Sequence, residues 1–148
     1  MTIAEKLNIL DAFIAQMSSY LSRGSSYNDS LYNYGNIAKK NAIETLKKIG
    51  APKYSIDSIK NISFESYRDE IFGHHYGEYE MKSANRCNAY KQSVNSVISI
   101  LNQERTRLIK EQADTEQRKD KQMAKWTLIC SAVAAICAII SLLFTIFN

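Results

Sequence analysis

Two adjacent histidines and the carboxylates around them are the residues whose types and spacing come closest to a chemical site. His74 and Glu78 would share one helical face as metal ligands, with His75 beside them. Gly73 and Gly77 argue against a regular helix there, and no cysteine or second histidine motif follows. The neighbouring carboxylates could do acid–base chemistry only if their geometry were fixed. These carboxylates are Asp69, Glu70, Glu78 and Glu80. We therefore expect no metal site, no cofactor and no enzymatic activity.

Basic residues interleaved with tyrosines form a second pattern, which could bind a nucleotide or oligonucleotide. Tyrosine rings can stack on bases while lysine and arginine pair with phosphates. Amphipathic tyrosines beside solvated lysines produce the same pattern on an ordinary helix edge. The net charge of +4 is mild, and the chain has no phosphate-binding glycine loop. The candidate ligand-binding residues are Lys39, Lys40, Lys47, Lys48, Arg86 and Tyr90.

The strongest pattern is the uncharged apolar run from residue 126 to residue 147. Its 22 residues would form a helix of about 33 Å, close to the hydrocarbon thickness of a bilayer. Basic residues precede the run and a tryptophan begins it, which predicts a membrane interface there and a cytoplasmic side for everything before it. These interface residues are Arg118, Lys119, Lys121, Lys125 and Trp126. We therefore expect a tail-anchored, single-pass membrane protein, most simply of a bacterial inner membrane.

Within that run, heptad steps connect six small residues, four of which carry hydroxyl groups. They are Thr127, Ser131, Ala134, Ala138, Ser141 and Thr145. The opposite face is mostly isoleucine and leucine. Such a face could let helices approach closely and associate. Alternatively, several copies around an axis could line a narrow, poorly selective polar pore.

The elements that must position these residues are predicted to be helices, because proline and glycine are rare and alternating strand patterns are scarce. The first helix is expected over residues 3–21 with a capping box at Thr2 and Glu5, and the second from Asn28 or Asp29 to residue 49. Gly50 and Pro52 predict a stop. Residues 53–82 are the least readable: Ser63 could cap a further helix, a break is expected between Gly73 and Gly77, and a short hairpin stays open.

From about residue 83 the chain contains no glycine or proline, which predicts one long helix. Residues spaced by three and four form a heptad seam that could belong to a coiled coil or to an ordinary core helix. The seam residues are Cys87, Tyr90, Val94, Val97, Leu101, Glu104 and Leu108. The predicted fold class is all-α, with a cytoplasmic helical domain over residues 1–82, a long helix and charged stalk over 83–125, and a transmembrane helix over 126–147.

This layout resembles small membrane effectors of bacterial phage-defence systems, in which a cytoplasmic sensing domain controls membrane helices that oligomerise. The resemblance covers the chain only loosely and no residue motif carries it. It implies a homo-oligomeric effector that senses a signal and opens a pore or lesion. Its expected partners are membrane lipid, further copies of itself, a nucleotide ligand or a regulatory protein. The alternative is an adaptor that only tethers a binding domain to the membrane.

Overall fold

The computed structural model describes residues 1–25, 30–64 and 76–147, with the side chains of the last range described between residues 84 and 141. The described residues form the helices α1 (Ile3–Arg23), α2 (Leu31–Lys48), α3 (Lys53–Lys60) and α4 (Tyr76–Phe147). No strand occurs in the described residues. The prediction of an all-helical protein with a long C-terminal helix is therefore confirmed.

The predicted start of α1 is confirmed by a complete capping box. The backbone N–H of Thr2 donates to the Glu5 carboxylate over 2.7 Å, and the Glu5 N–H donates to the Thr2 hydroxyl over 3.2 Å. Two of the backbone donors that every helix start leaves without a partner are satisfied in this way. The helix ends at Arg23, two residues beyond the predicted end.

The predicted stop after α2 is also confirmed. Gly50 has a positive φ of 68°, a conformation that glycine adopts without steric cost. The Ala51 N–H then reaches back to the Leu46 carbonyl over 2.9 Å, and the Gly50 N–H to the Lys47 carbonyl over 3.1 Å. This is the Schellman arrangement, and Pro52 directly precedes α3. At its other end α2 begins at Leu31, and the predicted caps lie outside the described residues.

The segment between α3 and α4 is described only in part. Ser63 is not helical, and the rest of the helix predicted from it, the alternative hairpin and both histidines lie outside the described residues. The break expected between Gly73 and Gly77 lies mostly outside the described residues, and α4 begins at Tyr76, within the expected interval, and includes Gly77. A single glycine weakens a helix by only about 1 kcal/mol, which a helix of 72 residues tolerates.

The heptad seam of α4 is buried inside this chain. Its side chains join one hydrophobic core with residues from the three preceding helices and from the segment after α3. The core partners include Leu10, Met17, Ala38, Ala42, Leu46, Ile59 and Phe64. Spacing by three and four identifies an apolar helix face but not its partner. Here the partner is intramolecular, so the seam is the core stripe of a helical domain rather than a coiled coil.

The chain accordingly divides into two compact units, Met1–Ile109 and Lys110–Asn148. The first unit includes α4 as far as Ile109, because the buried seam extends to Leu108. The prediction placed the domain boundary after residue 82 and assigned this part of the helix to the long helix and stalk. In the second unit almost every described side chain is exposed.

Gly35 provides a direct test of the packing in the first unit. A methyl group at Gly35 would lie 2.6 Å from Cγ of Phe64, whose side chain is 1% exposed. Alanine would raise helix propensity by about 1 kcal/mol, but overpacking a core typically destabilises by about 1–3 kcal/mol. We expect Gly35→Ala to lower the free energy of unfolding by about 1–2 kcal/mol, measured by urea denaturation with near-ultraviolet tyrosine circular dichroism.

The matched control is Asn33→Ala, at an exposed position of the same helix. It also replaces a residue by a better helix former, and it meets no buried ring. We expect its stability to be unchanged or slightly higher. A Gly35→Ala variant more stable than wild type would contradict the tight contact with Phe64.

Candidate functional site

The exposed apolar segment of α4 is the first feature of the candidate site. Among the described residues, one helix is long and apolar enough to cross a membrane. It contains an 18-residue window, that is, a stretch of 18 consecutive residues, with a mean hydropathy of 2.0. None of that window is buried, unlike the core helix of a soluble protein. Trp126 is 64% exposed and Leu128 is 73% exposed. The structure therefore fits a single-pass membrane protein at this helix.

The small face within this segment is exposed as far as it is described. Thr127, Ser131, Ala134, Ala138 and Ser141 are all solvent-accessible, and the side chain of Thr145 lies outside the described residues. The Thr127 hydroxyl donates to the Met123 carbonyl over 3.0 Å, and the Ser141 hydroxyl donates to the Cys137 carbonyl over 2.9 Å. The two hydroxyl protons are therefore satisfied within the helix, as an apolar surrounding requires.

The interface residues precede the apolar segment on the same helix. Arg118, Lys119, Lys121, Lys125 and Trp126 are all exposed. Within the described part of the chain, none of the four cations forms an ion pair with a carboxylate. Their charges are therefore accessible to anionic headgroups, while the indole ring suits the boundary between water and hydrocarbon.

Two of the predicted ligand-binding residues serve the fold instead. Tyr90 is fully buried, and its hydroxyl donates to the Tyr20 carbonyl over 2.9 Å, so its ring has no surface on which a base could stack. Lys39 is half-buried and donates to the Ile62 carbonyl over 2.7 Å, which ties the segment after α3 to α2. Tyr90 is a seam residue, and that spacing was the signal for its burial.

The other four residues are divided between α2 and α4. Lys40, Lys47 and Lys48 are exposed on α2, and Arg86 is half-buried on α4. Gly35 of α2 lies against Phe64, whose ring centre is 6.0 Å from that of Tyr90. Tyr90 is one helical turn from Arg86 on α4. Lys47 is twelve residues further along α2, which is about 18 Å. A ligand at Arg86 would not reach Lys47 or Lys48.

A buried carboxylate that sequence reasoning did not select holds α3 against α4. Glu104 is 1% exposed and accepts hydrogen bonds from the Ser55 hydroxyl and, over 3.3 Å, from the Tyr54 hydroxyl. Arg107, one turn further along α4, donates to the same carboxylate over 2.8 Å. A buried charge needs such partners because isolated burial is strongly unfavourable. The signal in the sequence was a charged residue at a seam position.

An exposed ion pair adds a second polar link between helices of the first unit. The Arg105 guanidinium donates to the Asp11 carboxylate over 2.6 Å and joins α4 to α1. This hydrogen bond and the charge of Asp11 hold the pKa of Arg105 above its usual value. Because the pair is solvent-exposed, it contributes orientation more than stability.

No group of three potential metal ligands occurs among the described residues, and His74 and His75 lie outside them. Comparison with known proteins found no match to any protein family, curated protein or solved structure.

Proposed function

We propose that this protein is a homo-oligomeric, single-pass membrane effector. In this proposal α4 crosses the membrane, the domain formed by residues 1–109 lies on the cytoplasmic side, and copies of α4 assemble through the small face. The observation that carries the proposal is an exposed apolar segment with small residues along one face. The basic residues before Trp126 support the orientation.

The small side chains that a neighbouring helix would contact on the small face support self-association. Alanine and serine allow backbones to approach closely, which is how helices associate where water supplies no hydrophobic driving force. Thr127 and Ser141 already donate their protons to their own helix. Burial of these two hydroxyls against a second copy therefore leaves no donor without a partner.

The effector step is the opening of a polar path along the assembly axis. With several copies around that axis, the hydroxyl oxygens of the small face would line it and the opposite isoleucine and leucine face would contact lipid. Such a path has no ring of charge, so it would select poorly among ions and would close partly by dewetting. A signal bound by the domain would act through α4, which contributes to both units.

The second candidate is an adaptor that only tethers the domain to the membrane. The internal hydrogen bonds of Thr127 and Ser141 are as compatible with an adaptor as with an effector. A helix whose hydroxyl groups are satisfied internally can cross a membrane as a monomer. An adaptor would keep its function when residues 126–147 are exchanged for an unrelated span of similar length. An assembling effector would lose its function in that exchange.

The experiment that tests the first proposal is the oligomeric state of the full chain. Native mass spectrometry from detergent micelles and from nanodiscs would measure the copy number over a range of protein concentrations. Four or more copies would support a pore. A strict monomer at every concentration would overturn the proposal, and a dimer would leave only helix association.

A further inference from the structure

Arg23, the last residue of α1, lies over two tyrosine rings. Its guanidinium carbon is 4.4 Å from the centre of the Tyr34 ring and 5.4 Å from the centre of the Tyr20 ring. Both contacts are within the range of a cation–π interaction. The side chain is therefore held in place while it remains exposed to solvent.

The Tyr20 ring, one of the two rings beneath Arg23, is fixed by the core. Tyr20 is 6% exposed, and its hydroxyl accepts a hydrogen bond from the Asn41 amide over 3.2 Å. Its backbone carbonyl accepts the hydrogen bond from the buried Tyr90 hydroxyl. The guanidinium therefore rests on a rigid support, so little side-chain entropy remains to be lost when a ligand binds.

No hydrogen bond from the Arg23 guanidinium to another described residue is present. The guanidinium carries five N–H donors that lie in its plane. Among the residues that the structure describes, no carboxylate pairs with Arg23. These donors are therefore available to bind two oxygens of a carboxylate or phosphate ligand at once.

A second cation lies beside the next residue of the chain. Lys91 of α4 places its Cγ 3.1 Å from the position that a methyl group would take on Gly24. Lys91 is half-buried, and it too has no carboxylate partner in the described part of the chain. The side chains of Arg23 and Lys91 thus start from different helices beside the same turn.

We propose that Arg23, held over Tyr34 and Tyr20 and assisted by Lys91, binds a phosphate dianion such as that of a nucleotide. Two cations match the charge of a phosphate better than that of a carboxylate, and the planar fork of arginine matches its oxygens. This site differs from the lysine-rich set on α2 that the sequence indicated. It does not depend on assembly in the membrane.

The test is calorimetric titration of the full chain in nanodiscs of zwitterionic lipid, with pyrophosphate, ADP and adenosine as probes. We expect pyrophosphate and ADP to bind and the uncharged adenosine not to bind. Binding by pyrophosphate alone would assign the site to free phosphate groups, and tighter binding by ADP would assign it to nucleotides. Absence of binding by both, or equal binding by adenosine and ADP, would overturn the proposal.

Variants separate the charge of Arg23 from its position. Arg23→Gln should weaken pyrophosphate binding about tenfold or more, the loss of a charge-assisted hydrogen bond. Tyr34→Leu keeps the charge but removes one support, and should weaken binding by a smaller factor. Lys53→Gln removes an exposed lysine of α3 and should leave affinity unchanged. Equal affinity in wild type and Arg23→Gln, with thermal unfolding unaltered, would refute the assignment.

Discussion

Ser131→Leu combined with Ser141→Leu is expected to abolish ion leakage through membranes that contain this protein, without loss of membrane insertion. Leucine fills the space that a neighbouring helix needs for close approach, and it removes two hydroxyl oxygens from the proposed axis. Each lost packing contact of about 1.4 kcal/mol shifts the association equilibrium tenfold. Dye or ion release from liposomes measures leakage, and carbonate extraction measures insertion.

The control for this prediction is Ala132→Leu, which lies on the opposite face of the same helix. It also adds bulk to a small side chain, but lipid can accommodate it, so leakage should continue. Equal leakage in the wild type and in the double serine variant would refute the small face as the assembly surface. Leakage lost in Ala132→Leu as well would show that bulk anywhere in the span is disruptive.

Leu101→Ala is expected to destabilise the domain by about 2–5 kcal/mol, the range for deletion of a buried leucine side chain. Leu101 is fully buried in the middle of the α4 seam. Small domains have a total stability of only about 5–15 kcal/mol, so the variant would lose a large fraction of it. Urea denaturation of the full chain in detergent, monitored by tyrosine circular dichroism, would measure the loss.

Repeating this denaturation at several protein concentrations tests whether the seam packs within one chain or between copies. Because the seam packs within one chain, the loss of stability in Leu101→Ala should not change with concentration. A coiled coil between copies would instead make the midpoint rise with concentration. Ile109→Ala is the control on the same helix, since Ile109 is 42% exposed, and its effect should stay within about 0.5 kcal/mol.

Much of the fold was predictable because its signals are local. The capping box of Thr2 and Glu5 and the stop at Gly50 depend on residues within one or two turns of each other. The long C-terminal helix follows from the absence of breakers, and its apolar segment follows from composition alone. The buried face of α4 was likewise evident from spacing by three and four.

The candidate sites were less predictable because residue type does not reveal what a side chain will meet. Lys39 and Lys40 look alike in the sequence, yet only Lys39 reaches the Ile62 carbonyl. Tyr90 lies between basic residues as a stacking residue would, but its hydroxyl donates to the Tyr20 carbonyl in the core. The sequence does not single out Arg23, because its contact with Tyr34 joins α1 to α2.

The sequence by itself therefore determined that this chain is helical, where several of its helices begin and end, and which segment is apolar enough to cross a membrane. These properties arise from backbone propensity, capping and transfer of side chains from water, which act over a few residues. Only the tertiary structure decided that the seam packs within one chain and that Glu104 is satisfied by α3. Burial and hydrogen bonding join residues up to 94 positions apart, and no local pattern records which pairs will meet.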